Sequence, residues 1–329
     1  MEQSTLVPVA QDPNNIEPAI DTTYKKYIPW FTLSCCLASV VLFVGINFEP
    51  DLNSWDTYKK WGAPSSNDIW NGEWWGLVTS NFLHVAIWHI IFNLSWFWLL
   101  GKKIEFESTK LFYGLFIFSS AVISSIAQLA FSGETGIGLS GVVYALFGYI
   151  FIKAKSTNEY KGFIDKRTIN WFLGWLIICI ILTYTKVWEV GNAAHIAGLL
   201  WGLLYGKISN SNKAIRIGLP ILLLSISSIT VFWQPWSTAW LGNKAYNLHK
   251  SQKLDEAEKV YKIILEREKD SEFARANLRL IQIGRLSQLA FDAHQKYNYE
   301  EALKLYKEIL KIDPENEWAK ENVLRLPIK

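Results

Sequence analysis

The chain has 329 residues, 50% of them hydrophobic and 15% aromatic, with 19% charged and 17 Trp. A formal net charge of +3, scattered along the chain, excludes an electrostatic case for nucleic acid as a partner. Cys35, Cys36 and Cys179 all sit in apolar runs without paired spacing, which excludes a disulfide framework and a cysteine metal site.

Residues 1–27 carry prolines, acids and amides but no apolar core followed by a small-residue cleavage site. They are expected to stay attached as a flexible cytoplasmic arm and not to act as a signal peptide. From residue 28 the chain turns apolar, in seven runs at 28–47, 84–100, 111–131, 139–152, 169–185, 191–205 and 217–233. Most approach the roughly 17–25 residues that cross a bilayer. The fourth and sixth are short and bear glycines; because lipid cannot satisfy freed backbone groups, both are expected at the centre of a bundle. Lys25, Lys26, Lys102, Lys103, Lys110, the basic stretch 153–167 and Lys207, Lys213 and Arg216 fall on one side of the membrane, against only Lys59, Lys60 and Lys186 on the other. The N-terminus is therefore expected in the cytoplasm and the C-terminal region outside. The first outer connection, 48–83, carries Trp55, Tyr58, Trp61, Trp70, Trp74 and Trp75, whose rings favour the headgroup level of the outer leaflet.

Polar groups inside apolar spans are costly and mark candidate sites. In the second run, His89 and Asn93 are four residues apart, only about 40° around a helix, so both are expected to point at one place and to donate to an oxyanion. His84 lies about 140° from His89 on the same wheel and is read as structural, a support for the first outer loop. With no intramembrane Asp, Glu or Cys placed to complete a site, neither metal nor cofactor is expected. The fourth run opens Gly136-Ile137-Gly138-Leu139-Ser140-Gly141, a serine at a helix start, where free backbone N–H groups can stabilise an oxyanion. Tyr144 shares its face. The sixth run places His195 on the face of Gly198 and Gly202, a Gly-x-x-x-Gly groove that admits another backbone. If the fourth helix fills that groove, Ser140 gains a base near neutral pH.

Together, His84-x4-His89-x3-Asn93, Gly138-x-Ser140-Gly141 and Ala194-His195-x2-Gly198-x3-Gly202 resemble the signature of the rhomboid intramembrane serine proteases. The resemblance covers about residues 30–205. It implies that Ser140 attacks the scissile carbonyl and that His195 is the base. It further implies that His89 and Asn93 help to form the oxyanion hole and that Tyr144 packs beneath the catalytic histidine. One departure stands out: the family often carries Glu-x-Trp-Arg in the first outer loop, and here the stretch reads Glu73-Trp74-Trp75-Gly76. The loop's usual anchor is missing.

Past Gln234-Pro235-Trp236 the chain is mixed and charged. Stretches 254–265 and 299–310 align at an offset of 45 residues, with Ala257 and Tyr261 matching Ala302 and Tyr306. This resembles the second helix of tetratricopeptide repeats, whose period is about 34 residues; the longer offset leaves room for extra helix around 271–283. A seven-helix rhomboid with such a tail is similar to proteins of Gram-positive bacteria, which implies the plasma membrane.

The sequence thus predicts an all-α polytopic membrane helix bundle. Its parts are the arm at 1–27, a six-helix rhomboid-like core at 28–209, a seventh transmembrane helix at 210–236, and an extracytoplasmic tetratricopeptide-like helical domain at 237–329. The expected function is a serine endopeptidase acting on membrane-anchored proteins near the outer leaflet, with the lipid bilayer and a protein or peptide ligand of the repeats as further partners. Two rivals carry less. A non-proteolytic membrane adaptor has no need of both Ser140 and His195, and a transporter or metal channel needs acids or a polar pathway within the spans.

Overall fold

The computed structural model describes residues 22–52 and 54–327, so positions 1–21 of the expected arm lie outside the described residues. Every regular element among them is helical: α1 (Thr22–Lys26), α2 (Trp30–Ile46), α3 (Trp55–Lys60), α4 (Ser66–Trp70), α5 (Gly76–Thr79), α6 (Ile87–Glu107), α7 (Lys110–Ser132) and α8 (Ser140–Ser156), then α9 (Lys166–Tyr184), α10 (Asn192–Ile208), α11 (Lys213–Phe232), α12 (Thr238–Lys250), α13 (Leu254–Arg267), α14 (Glu272–Gln295), α15 (Tyr299–Ile312) and α16 (Glu317–Arg325). They divide into two compact units.

The first unit holds the chain up to Leu52 together with Asn81–Ser124 and Ile137–Ile217. Its core is α8, whose residues from Gly141 to Ile150 are all buried. Such a helix has no face left for lipid, which is why its sequence is apolar all round. The neighbour is α10, and the two backbones touch: a Cβ on Gly198 or Gly202 would collide with the carbonyl oxygens of Gly141 and Ala145, and one on Gly148 would lie 2.6 Å from the Leu199 carbonyl oxygen. Small residues permit that approach and van der Waals packing rewards it. On α9 the apolar residues Ile177, Ile178, Ile180 and Ile181 are exposed, the pattern of a helix that faces hydrocarbon.

At the other end of this unit Glu105 is buried, although it was not legible as part of a span. Its carboxylate accepts from the backbone N–H of Thr32 at 2.8 Å and of Phe31 at 3.0 Å, and from the Thr32 hydroxyl at 2.7 Å. The acid therefore sits at the N-terminus of α2, where free amides and the helix dipole favour negative charge.

By length and composition four helices among the described residues can cross a membrane: Thr23–Ile46, Lys110–Ser132, Lys166–Tyr184 and Lys213–Phe232. A fifth is added if Gly76–Phe82 and Ile87–Glu107 form one broken span. At 17 residues each, α8 and α10 are shorter than these; α8 is screened by protein, whereas α10 buries one face and leaves Ile196 and Leu200 exposed.

The second unit holds Asn53–Ser80, Ser125–Gly136 and Gly218–Lys329. The stretch 54–80 is not a plain loop, because it folds into α3, α4 and α5. Ser65 and Asp68 form a capping box at α4, satisfying two of its otherwise orphaned amides. Where the family arginine is missing, Gly76 is buried, and a Cβ there would lie 2.6 Å from Pro64 Cδ. The charge that ties this stretch together is Lys59, whose Nζ lies 2.6 Å from Glu73 and 2.9 Å from Asp68.

Further along, α12 pairs with α13 and α14 with α15. Ala257, Tyr261, Ala302 and Tyr306 are fully buried at equivalent places in two separate cores. The 24-residue α14 takes up the extra length between the two aligned stretches.

Candidate active site

Ser140 is the first residue of α8. The chain reaches it through Gly138, at φ +98°, a left-handed conformation that glycine adopts without strain. A Cβ at Gly138 would also lie 2.5 Å from His89 Cε1, so this glycine makes the turn and leaves space for the ring.

From α10, His195 brings Nε2 to 2.7 Å from Ser140 Oγ. The imidazole is 4% exposed and lies over the ring of Tyr144, with centroids 4.8 Å apart and planes at 31°. Tyr144 is fixed in turn, its hydroxyl donating to the Phe172 carbonyl at 3.1 Å. His195 Nδ1 is buried and has no hydrogen-bond partner among the described residues. If Nε2 is to accept the serine proton, Nδ1 must carry the ring hydrogen, so that hydrogen has no carboxylate to hold it.

The second polar group comes from α6 and the turn before it. His84 precedes α6 and is fully buried. Its Nδ1 lies 3.1 Å from the Phe82 carbonyl oxygen, which only accepts, so Nδ1 donates. Nε2 is then the acceptor, from Asn93 Nδ2 at 3.1 Å and from the Leu139 backbone N–H at 3.4 Å. One amide hydrogen of Asn93 is committed and one stays free for another acceptor.

This corrects the helical-wheel reading of His84. The helix begins at Ile87 because Ala86 is extended, so an angle measured on a helix does not apply. The His84 and His89 rings meet edge to face at 4.9 Å, and His84 ties the end of the first outer connection, through Phe82, to the start of α8, through Leu139. His89 and Asn93 make no hydrogen bond to Ser140 Oγ among the described residues. The structure thus brings Ser140, His195 and Tyr144 into one contact group, and His84, His89, Asn93 and Gly138 into another beside the start of α8. Gly141, Gly198 and Gly202 form the seam that holds α8 to α10.

One neighbour was missed. The Ser124 hydroxyl is buried without a partner among the described residues; a Cβ on Gly141 would lie 2.7 Å from it and one on Gly198 3.1 Å. Its only signal was a run of serines in an otherwise apolar helix.

Residues 71–212 match the Rhomboid domain. A protein named rhomboid protease GlpG from Haemophilus influenzae is 38% identical over 146 residues, which cover 43% of this chain and 72% of that protein. This chain belongs to the rhomboid family. Proteins of the same name from Photorhabdus laumondii and Salmonella paratyphi A are 36% and 31% identical, over 54% and 57% of this chain. Those two matches span 61% and 65% of the relatives' own length. The rhomboid match takes in every residue of both polar groups and stops before α11, so α11–α16 lie outside it.

Proposed function

We propose that this rhomboid chain is an intramembrane serine endopeptidase that cleaves membrane-anchored proteins near the outer leaflet. The observation that carries the reading is the 2.7 Å contact between Ser140 Oγ and His195 Nε2, inside the segment similar to proteins named rhomboid proteases. Ser140 Oγ attacks the scissile carbonyl carbon while His195 Nε2 takes its proton. The oxyanion meets the free amide hydrogen of Asn93, His89 and the Ser140 backbone N–H, with His84 fixing Asn93. The tetrahedral species collapses as His195 returns the proton to the leaving amine, giving an acyl-enzyme. Water then attacks the ester, losing a proton to His195, which passes it to Ser140 Oγ as the acyl–oxygen bond breaks and the carboxylic acid product leaves. A transmembrane helix satisfies its own backbone, so substrates need helix-weakening residues at the cleavage point.

The rest of the chain fits this reading as a core at 28–209, a seventh transmembrane helix at 210–236 and tetratricopeptide-like repeats at 237–329 that hold a protein or peptide. The distribution of Lys and Arg supports a cytoplasmic N-terminus and repeats outside a bacterial plasma membrane. The deciding experiment is labelling by a fluorophosphonate probe, expected on the wild type and absent from Ser140→Ala. Cleavage of a reporter transmembrane substrate by Ser140→Ala at the wild-type rate would overturn the proposal.

A further inference from the structure

The second unit contains a cleft of about 630 Å³ lined by α4, α12 and the start of α14, within the roughly 300–1,000 Å³ range of ligand sites. Three carboxamides form a row in it. Asn247 Nδ2 donates to Asn71 Oδ1 at 3.0 Å, and Asn71 Nδ2 to Asn243 Oδ1 at 3.5 Å. Each carboxamide offers two donors and two acceptor lone pairs, so most of the row's bonding capacity is unspent. Tyr246 and Phe273 line the same cleft and are 52% and 46% exposed.

From this row we infer that the cleft binds an extended, unfolded polypeptide segment of a protein client. A peptide unit carries one N–H and one C=O, the pair that a carboxamide meets with an acceptor and a donor together. Asn243 and Asn247 stand four residues apart on α12, a rise of about 6.0 Å. In an extended chain, groups on one face repeat every two residues, about 6.6–6.8 Å. The two amides therefore match successive same-face peptide units, and the exposed rings of Tyr246 and Phe273 take the side chains between them. Because the contacts are to backbone, recognition tolerates many sequences. The inference rests on the proposed reading of α12–α16 as a peptide-holding module.

The test uses the full chain in detergent micelles with Ser140→Ala, so that nothing is cut. The probe is fluorescein-labelled, reduced and carboxymethylated α-lactalbumin, a chain without a fixed fold, followed by anisotropy. Saturable binding is expected, weakened about ten-fold by Asn243→Ala with Asn247→Ala, the loss of two modest hydrogen bonds. The double Asp variant, which keeps size and acceptors but loses the donors, should also weaken it; gel filtration and circular dichroism check that both variants are folded. Absence of binding, equal binding by all three proteins, or displacement by chitotetraose, which would make the ligand class a glycan, overturns the inference. Fluorophosphonate labelling of the wild-type preparation reports on Ser140 separately. Labelling without polypeptide binding defeats the cleft alone, and binding without labelling defeats the protease reading alone.

Discussion

At His195 the question is what keeps an imidazole aimed at a hydroxyl when no acid holds its far nitrogen. Among the described residues Nδ1 is unpartnered, and the ring rests on Tyr144, which is itself tethered to Phe172. Orientation by packing makes a clear prediction. Tyr144→Phe keeps the ring and loses only the tether, so kcat should stay within about three-fold of the wild type. Tyr144→Ala lets the imidazole tilt and should lower kcat by about 100-fold with KM little changed, read by steady-state cleavage of a reporter substrate. Ser140→Ala and His195→Ala should each reduce kcat by at least about 1,000-fold. Ser140 and His195 attract notice in the sequence because polar groups inside apolar runs are rare. The bond from His84 to Leu139 joins residues 55 positions apart and depends on an extended turn, so no spacing rule reveals it.

Among the elements, α8 and α10 meet where Gly141, Gly148, Gly198, Gly202 and Gly206 stand, and Gly202 has the Ala145 carbonyl against it. Backbone on both sides cannot yield as a side chain would. Gly202→Val should therefore destabilise the chain by at least about 3 kcal/mol, visible as a lowered Tm in micelles together with lost fluorophosphonate labelling. The N-terminus of α2 offers a second test. Glu105→Leu abandons amides that a carboxylate now satisfies and should cost about 3 kcal/mol, whereas Glu105→Gln, which keeps an acceptor, should cost less. Hydropathy placed the end of the second run at 100 because Lys102, Lys103, Glu105 and Glu107 follow. The helix runs on to Glu107 because Lys103 pairs with Glu107 one turn on at 2.6 Å, a local pair, and because Glu105 is held by α2, a long-range contact that composition does not carry. The helices in the stretch 54–80 were not read from the sequence: Ser65-x-x-Asp68 is a cap signature, but helices of four to six residues leave no periodicity beside it.

For the molecule as a whole, the outward placement of α12–α16 is a prediction about sidedness. In a background lacking Cys35, Cys36 and Cys179, a cysteine at Lys250 should react with an impermeant maleimide in intact cells and one at Lys161 only after lysis. The α12–α16 segment should also show an acid limit. Hydrogen bonds from Lys262 and Arg285 hold the Glu258 carboxyl below its ordinary value of 4.5. Its folded pKa is depressed, so its contribution to stability is complete above 4.5 and is lost as pH falls through the folded value. Thermal unfolding of the wild type should therefore weaken on acidification more than that of Glu258→Gln, measured by circular dichroism. The paired Ala and Tyr positions of α13 and α15 were legible because they recur; the cleft was not, since it needs Asn71 from a stretch 172 residues away from Asn243. One last consequence follows from the seam between α8 and α10. With main chain pressed on main chain, the two backbones that carry hydroxyl and imidazole have no hinge between them, so the seam sets their spacing and packing on Tyr144 sets the aim. Control that leaves this seam intact would act as a doorkeeper, on what arrives at Ser140.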